Sequence, residues 1–264
     1  MTFPAGLLAR PIAHRGLHDA GRGIPENSLA AAEAACAEGY GIELDIQPSG
    51  DGVPMVFHDG TLDRLTDEAG PVTGRSAEEL GRMALLGTAE TVPTLAQFLA
   101  LVAGRVPLLI ELKSQPGAPC VATNKLAELA LAALAGYPGE VALMSFNPFA
   151  IAHGAALRPD LCWGITTGHG PGLFPEDPET DARITGRALD PRDYGAGFLS
   201  HGIREGRAPW LSALKAAGLP ILAWTVRSPE EEAEARRFAA NITFERYRPA
   251  GPEAALDPGG ATPN

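Results

Sequence analysis

The strongest constraint on the fold is a rhythm, in which short apolar runs alternate with longer Ala/Leu/Glu-rich stretches. The strand candidates are "PIAHR" (11–15), "GIELDI" (41–46), "PMVFH" (54–58), "PLLIELK" (107–113), "VALMSF" (141–146), "LCWGIT" (161–166), "GAGFLS" (195–200), "PILAWTV" (220–226) and "NITFE" (241–245). Between most of them lie helical patterns such as "NSLAAAEAACAEG", with Asn27 or Ser28 as cap and Gly39 as stop, "KLAELALAALAG" and "SPEEEAEARRFAA". Only seven residues, including Asp51-Gly52, separate "GIELDI" from "PMVFH". A parallel crossover needs a dozen or more, so this pair reads as a hairpin. Eight strands with helical crossovers then remain, and eight β/α units in a chain of this length make a (β/α)8 TIM barrel with an extra hairpin strand after strand 2. A doubly wound open sheet would need a switch point, and none is legible. Residues 1–250 read as one domain and 251–264, rich in Pro, Gly and Ala, as a loose tail.

Charge and cysteine usage narrow the function classes. With 21 Lys+Arg against 32 Asp+Glu, the formal charge is −11. No basic run is present, which argues against nucleic acid and anionic membranes as partners while leaving room for a small phosphate ligand. Cys36, Cys120 and Cys162 have neither metal-site spacing nor a disulfide framework and suit a reducing compartment. No run approaches the roughly 20 apolar residues of a membrane span, and the N-terminus has no basic n-region. A cytoplasmic protein is expected.

A barrel puts its chemistry at the C-terminal ends of its strands. In "GIELDI" the side chains alternate, so Glu43 and Asp45 share one face and Ile42, Leu44 and Ile46 the other. The aliphatic face suits the helix layer, which turns both acids into the barrel mouth. Glu111 and Lys113 in "IELK" repeat the spacing. Two carboxylates about 5 Å apart repel by roughly 3 kcal/mol at an effective dielectric of about 20. Three mutual pairs, with no arginine beside them, call for protons or a cation. All-oxygen ligation favours Mg²⁺ or Ca²⁺ over zinc.

Two histidines end strands beside these acids, His14 in "AHRG" and His58 in "FHDG". Histidine exchanges a proton near neutral pH, so a pair can divide the acid and base roles. Arg15 and Lys113 add fixed positive charge, and arginine forks onto phosphoryl oxygens. Acids, cations and paired histidines suit reaction at a phosphodiester.

"AHRG", "PENS", "GYGIELDIQPSGDGVPMVFHDGTLDRLT", "PTLAQFL" and "IELK", followed by "SFNPFAI" and "AWTV", resemble in order and spacing the glycerophosphodiester phosphodiesterase family, from about residue 10 to about residue 248. The resemblance implies a TIM barrel using a divalent cation on glycerophosphodiesters from deacylated phospholipids. It implies His14 and His58 as acid/base pair, Glu43, Asp45 and Glu111 as metal ligands, and Arg15 and Lys113 on the phosphate. It sets Glu26 and Asn27 beside the site, Asn27 reading equally as a helix cap, and Phe146 and Trp224 on the pocket wall or in ordinary packing. The family's last strand usually ends in Thr-Asp-Arg-Pro, whereas this chain reads "NITFERYRP", with Glu245 at the Asp position. That departure bears on the pocket wall and head-group choice. The stretch 60–92 is expected to overhang the mouth and shape the substrate end, the Pro/Gly/acid-rich loop 168–194 reads as surface variation ahead of a lid over the mouth, and His18, His153, His169 and His201 have no assigned role. A related phospholipase-type enzyme or an inactive binding barrel are the alternatives.

Overall fold

The computed structural model describes residues 2–114, 120–168, 190–205 and 209–249. Nine strands form one sheet: β1 (Ile12–Ala13), β2 (Gly41–Pro48), β3 (Pro54–Val56), β4 (Leu108–Leu112), β5 (Val141–Ser145), β6 (Cys162–Thr167), β7 (Phe198–Gly202), β8 (Ile221–Val226) and β9 (Asn241–Phe244). Strand β1 pairs in parallel with both β9 and β2, which closes a ring of eight parallel strands. Strand β3 lies outside the ring, antiparallel to β2 with Ile46 opposite Val56. The structure is the TIM barrel with one hairpin strand that the spacing predicts.

The α-helices of the described residues are α1 (Gly6–Ala9), α2 (Leu29–Glu38), α3 (Ala77–Leu80), α4 (Leu95–Val102), α5 (Cys120–Ala133), α6 (Pro148–Leu157), α7 (Pro209–Ala216) and α8 (Pro229–Ala235), and apart from α1 and α3 they follow the strands of the ring and cover its outside. Caps set several of their starts. Ser28 accepts from the Ala31 amide at the head of α2, and Gly39 ends that helix with φ +73°. Ser28, not Asn27, is therefore the cap. Thr94 and Gln97 form a capping box on α4. Helix α5 starts at Cys120, earlier than the Lys125 at which "KLAELALAALAG" begins.

Alternation along the strands sorts the two cores. Ile42, Leu44, Ile46, Leu108, Ile110 and Leu112 pack outward against the helix layer. Leu109, Ala142, Met144, Cys162, Phe198 and Leu222 fill the barrel interior with Leu7 and Ile12. Gly164 is required there, because a Cβ on it would stand 2.2 Å from the Phe198 ring. Strand β7 starts later than its apolar run suggests. A turn over Pro191–Tyr194, capped by Asp190 and closed by Gly195 at φ +72°, delays entry into the sheet. Segment 60–92 carries a small core of its own, in which Leu62, Leu65, Val72, Leu80, Leu85 and Val92 pack on Met55 and Phe57.

Candidate active site

The acids emerge from strand register. In the β2–β4 pair Asp45 lies opposite Glu111 and Glu43 opposite Leu109, so all three carboxylates point inward near the C-terminal ends. Each is almost completely buried, at 1%, 1% and 6% exposure for Glu43, Asp45 and Glu111. One oxygen from each falls within 4.8 Å of the others.

The cluster has closer cations than the strands alone suggest. Lys113 Nζ donates to Glu111 Oε1 at 2.8 Å and stands 3.4 Å from Asp45 Oδ1. The Arg15 amide donates to Glu43 Oε2 at 2.9 Å, and its Nε lies 3.4 Å from Asp45 Oδ2. The expectation of acids with no arginine beside them is thus corrected, because the turn after β1 folds Arg15 back over them. Two positive charges face three negative ones. Glu43 carries the imbalance: burial, then Asp45 and Glu111, push its carboxyl well above the ordinary range. Asp45 is held far below it, since His58, Lys113 and Arg15 outweigh the cost of its burial. A buried, all-oxygen cluster short of positive charge fits a hard divalent cation.

Asn27 does not cap α2. Its Nδ2 donates to Asp45 Oδ2 at 2.9 Å, and its Oδ1 accepts from the Asp45 amide at 3.3 Å. Arg15 and Asn27 both adopt left-handed backbone, at φ 56° and 55°. The Asn27 amide donates to the Arg15 carbonyl at 2.9 Å, joining the two strained positions. Such geometry costs on the order of 1–3 kcal/mol per residue and persists where surrounding contacts impose it.

The histidines approach from two strand ends. His14 donates its amide to the Phe244 carbonyl at 2.8 Å, the last sheet-like bond before the chain turns. Its Nδ1 lies 2.7 Å from Glu245 Oε2 and its Nε2 3.9 Å from Glu43 Oε2. A carboxylate only accepts, so Nδ1 carries the proton and Nε2 presents a lone pair. Burial lowers the His14 pKa to about 4 against the hydrogen bond that Nδ1 donates to Glu245, which leaves the ring neutral at pH 7. His58 Nδ1 donates in the same way to Asp59 Oδ1 at 2.7 Å. Gln47 Nε2 donates to the carbonyls of Phe57 and Asp59, fixing the main chain on both sides of His58.

One cavity of about 350 Å³ is lined by His14, Arg15, Glu43, Asp45, His58, Glu111 and Lys113. Phe146, Trp224, Met144, Thr225 and Arg227 are also among its lining residues. Phe146 and Trp224 meet edge to face, centroids 5.6 Å apart, and the indole Nε1 donates to the Thr167 carbonyl at 3.1 Å. Glu26 and Asn27 lie behind this lining. Glu26 Oε1 accepts from Arg15 Nη1 at 2.7 Å and also from Arg64.

Several contributors are not visible in the sequence. Glu245, read from the sequence as bearing on the pocket wall, instead bonds His14 and accepts from Arg227 Nε at 2.7 Å. Its distance of 231 residues from His14 hides the pairing. Asp59 had a signal, since it directly follows His58. Segment 60–92 supplies no lining residue to the cavity. Residues 169–189, including His169 and most of the 168–194 loop, and the 251–264 tail lie outside the described residues. His18 Nε2 is 3.9 Å from Glu245, whereas His201 is buried on Thr167 and His153 pairs with Glu128 away from the site.

Known proteins resemble this chain in sequence and in fold. The sequence is 45% identical over 74 residues to glycerophosphodiester phosphodiesterase 1 of Homo sapiens, a match covering 27% of this chain and 21% of that protein. It is 32% identical over 163 residues to a glycerophosphodiester phosphodiesterase of Caldanaerobacter subterraneus, covering 58% of this chain and 65% of the relative. Among solved structures, an Oleispira antarctica phosphodiesterase in complex with the product sn-glycerol-3-phosphate superposes with a TM-score of 0.72 at 26% identity, over 89% of this chain and 91% of that one. The sequence pattern of the Glycerophosphoryl diester phosphodiesterase family matches residues 14–243, nearly the whole barrel, and the chain belongs to that family.

Proposed function

We propose that this chain is a divalent-cation-dependent phosphodiesterase that hydrolyses glycerophosphodiesters to glycerol 3-phosphate and an alcohol. The observation that carries the reading is one cavity in which three buried carboxylates face two histidines, each with Nδ1 on a carboxylate. Glu43, Asp45 and Glu111 would hold the ion, Mg²⁺ or Ca²⁺. When bound, it supplies Lewis acidity to a phosphoryl oxygen and lowers the pKa of the attacking hydroxyl.

The remaining roles belong to the chain. His14, neutral with a free Nε2 lone pair, accepts the proton of the attacking group, and Glu245 then stabilises the imidazolium. That group is either the neighbouring glycerol hydroxyl, whose cyclic phosphate water then opens to glycerol 3-phosphate, or water itself in a single step. His58 donates a proton from Nε2 to the departing alcohol, with Asp59 holding its Nδ1–H. Arg15 and Lys113 line the cavity and hold the phosphoryl oxygens of the bound diester. Phe146 and Trp224 offer an apolar wall to the head group. Cys36 and Cys162 are free thiols, in keeping with a cytoplasmic setting. Among the described residues no helix is long and apolar enough to cross a membrane.

Release of glycerol 3-phosphate from glycerophosphocholine by His14→Ala and His58→Ala tests the assignment. Each variant should remain folded and lose about 10²–10⁴ in kcat, the usual contribution of a positioned acid or base. Near-normal turnover in both would overturn it.

A further inference from the structure

Arg64 is absent from the cavity lining and its side chain is 45% exposed, yet it donates four hydrogen bonds to two acids beside the site. Its Nε donates to Asp59 Oδ2 at 2.6 Å and its Nη2 to Asp59 Oδ1 at 2.9 Å. Its Nη1 donates to Glu26 Oε2 at 2.9 Å and its Nη2 to Glu26 Oε1 at 2.8 Å. The two carboxylates it grips lead to different parts of the cavity. Asp59 Oδ1 takes the His58 Nδ1–H at 2.7 Å, and Glu26 Oε1 takes Arg15 Nη1 at 2.7 Å.

We propose that Arg64 is a positioning residue that fixes His58 and Arg15 together. The inference rests on the roles given to those two residues under Proposed function. Asp59 is 24% exposed at its side chain and His58 30%, so neither is locked by packing alone. A carboxylate free to turn towards water would release the imidazole about its side-chain torsions. The planar guanidinium, with donors on three nitrogens, holds both oxygens of two acids at once, which an ammonium cannot do. The backbone that delivers Arg64 is itself anchored, because Leu62 and Leu65 on either side of it are 0% and 2% exposed in the small core of segment 60–92. That segment therefore serves the site from outside the cavity, through one side chain. Gln47 secures the main chain around His58 independently, so loss of Arg64 frees side-chain orientation and leaves the strand end in place.

The chemistry supplies a discriminating readout. As the phosphorus–oxygen bond to the departing alcohol breaks, its electron pair stays on that oxygen, which takes the proton from His58 Nε2. An alkyl alcohol needs that proton, whereas 4-nitrophenol leaves as a stable anion without it. The full-length protein, with divalent cation present, is assayed on glycerophosphocholine and on the glycerol diester of 4-nitrophenyl phosphate. In Arg64→Lys, kcat on glycerophosphocholine should fall by about 10–100-fold, the usual cost of removing a group that orients an active-site side chain. On the aryl diester kcat should be nearly unchanged, while KM rises on both substrates as Arg15 loses its tether. Arg64→Ala should show the same split, and in a His58→Ala background Arg64→Lys should lower kcat no further. Equal kcat losses on the two diesters, or none on either, would overturn the inference while leaving the proposed function standing. Failure of the unsubstituted protein to hydrolyse either diester would overturn both.

Discussion

Glu43→Gln should make the metal-free protein more stable and at the same time unable to gain from metal. The carboxylate oxygens of Glu43, Asp45 and Glu111 lie within 4.8 Å of one another, so each charged pair costs at least about 3.5 kcal/mol at an effective dielectric of about 20. Lys113 and the Arg15 guanidinium sit on Asp45 and Glu111, which leaves Glu43 with the Arg15 amide as its bonded partner. The folded protein has an escape, because Glu43 can take a proton. From an ordinary glutamate pKa of about 4.3, that costs roughly 3–4 kcal/mol at pH 7, which caps the relief available to the glutamine. The sign follows from the direction of the shift. A carboxyl raised in the folded state keeps its proton better there than when unfolded, so native stability falls as pH rises above the unfolded value. In EDTA at pH 7 the variant should therefore gain up to about 3 kcal/mol, a rise of roughly 5–10 °C in melting temperature for a domain of this size. The gain should shrink towards pH 4.5. Added Mg²⁺ or Ca²⁺ should raise the melting temperature of the unsubstituted protein and leave the variant nearly unmoved. A folded variant that melts below the unsubstituted protein in EDTA at pH 7 would refute the reasoning.

Two further perturbations address the groups behind the histidines. Glu245→Ala removes the acceptor of the His14 Nδ1–H and should lower kcat by on the order of 10–100-fold with little change in KM, and Glu245→Asp should restore part of it; unchanged kcat in steady-state assays would contradict the role. Burial raises the Glu26 carboxyl, but hydrogen bonds from Arg64 and the charge of Arg15 outweigh it and bring the pKa down to about 2. Its contribution to stability is therefore fully present above the ordinary carboxylate range and is lost as pH falls through about 2. Acid melts of Arg64→Ala should show a shallower decline between about pH 4.5 and 2 than the unsubstituted protein; identical curves would argue against the clamp.

The barrel was legible because its signals are local. Strand periodicity, helix caps and the seven-residue spacing of the hairpin each lie within one short window, and strand alternation alone turned Glu43, Asp45 and Glu111 inward. What stayed hidden depends on chain reversal and long-range pairing. Arg15 returns to the acids through a left-handed turn that residue type does not announce. Asn27 looked like a cap because asparagine caps helices well, and the choice between Asn27 and Ser28 was made by the close fit of the Asn27 amide to Asp45. Glu245 reaches His14 from the end of β9 and is itself held by Arg227 from the end of β8, a closure contact that no sequence window contains. Arg64 lies in a segment whose sequence placed it only near the mouth, and its four hydrogen bonds appear once that segment folds on its own core.

The central claim is that the buried acids hold a cation that the two histidines need for phosphodiester hydrolysis. The most direct measurement is glycerol 3-phosphate release from glycerophosphocholine by metal-stripped protein, before and after addition of Mg²⁺ or Ca²⁺. The account predicts no release without metal and steady release with it, abolished when Glu43, Asp45 or Glu111 is replaced by its amide. Folded protein that releases no glycerol 3-phosphate with either ion, or releases it equally well without metal, would contradict it.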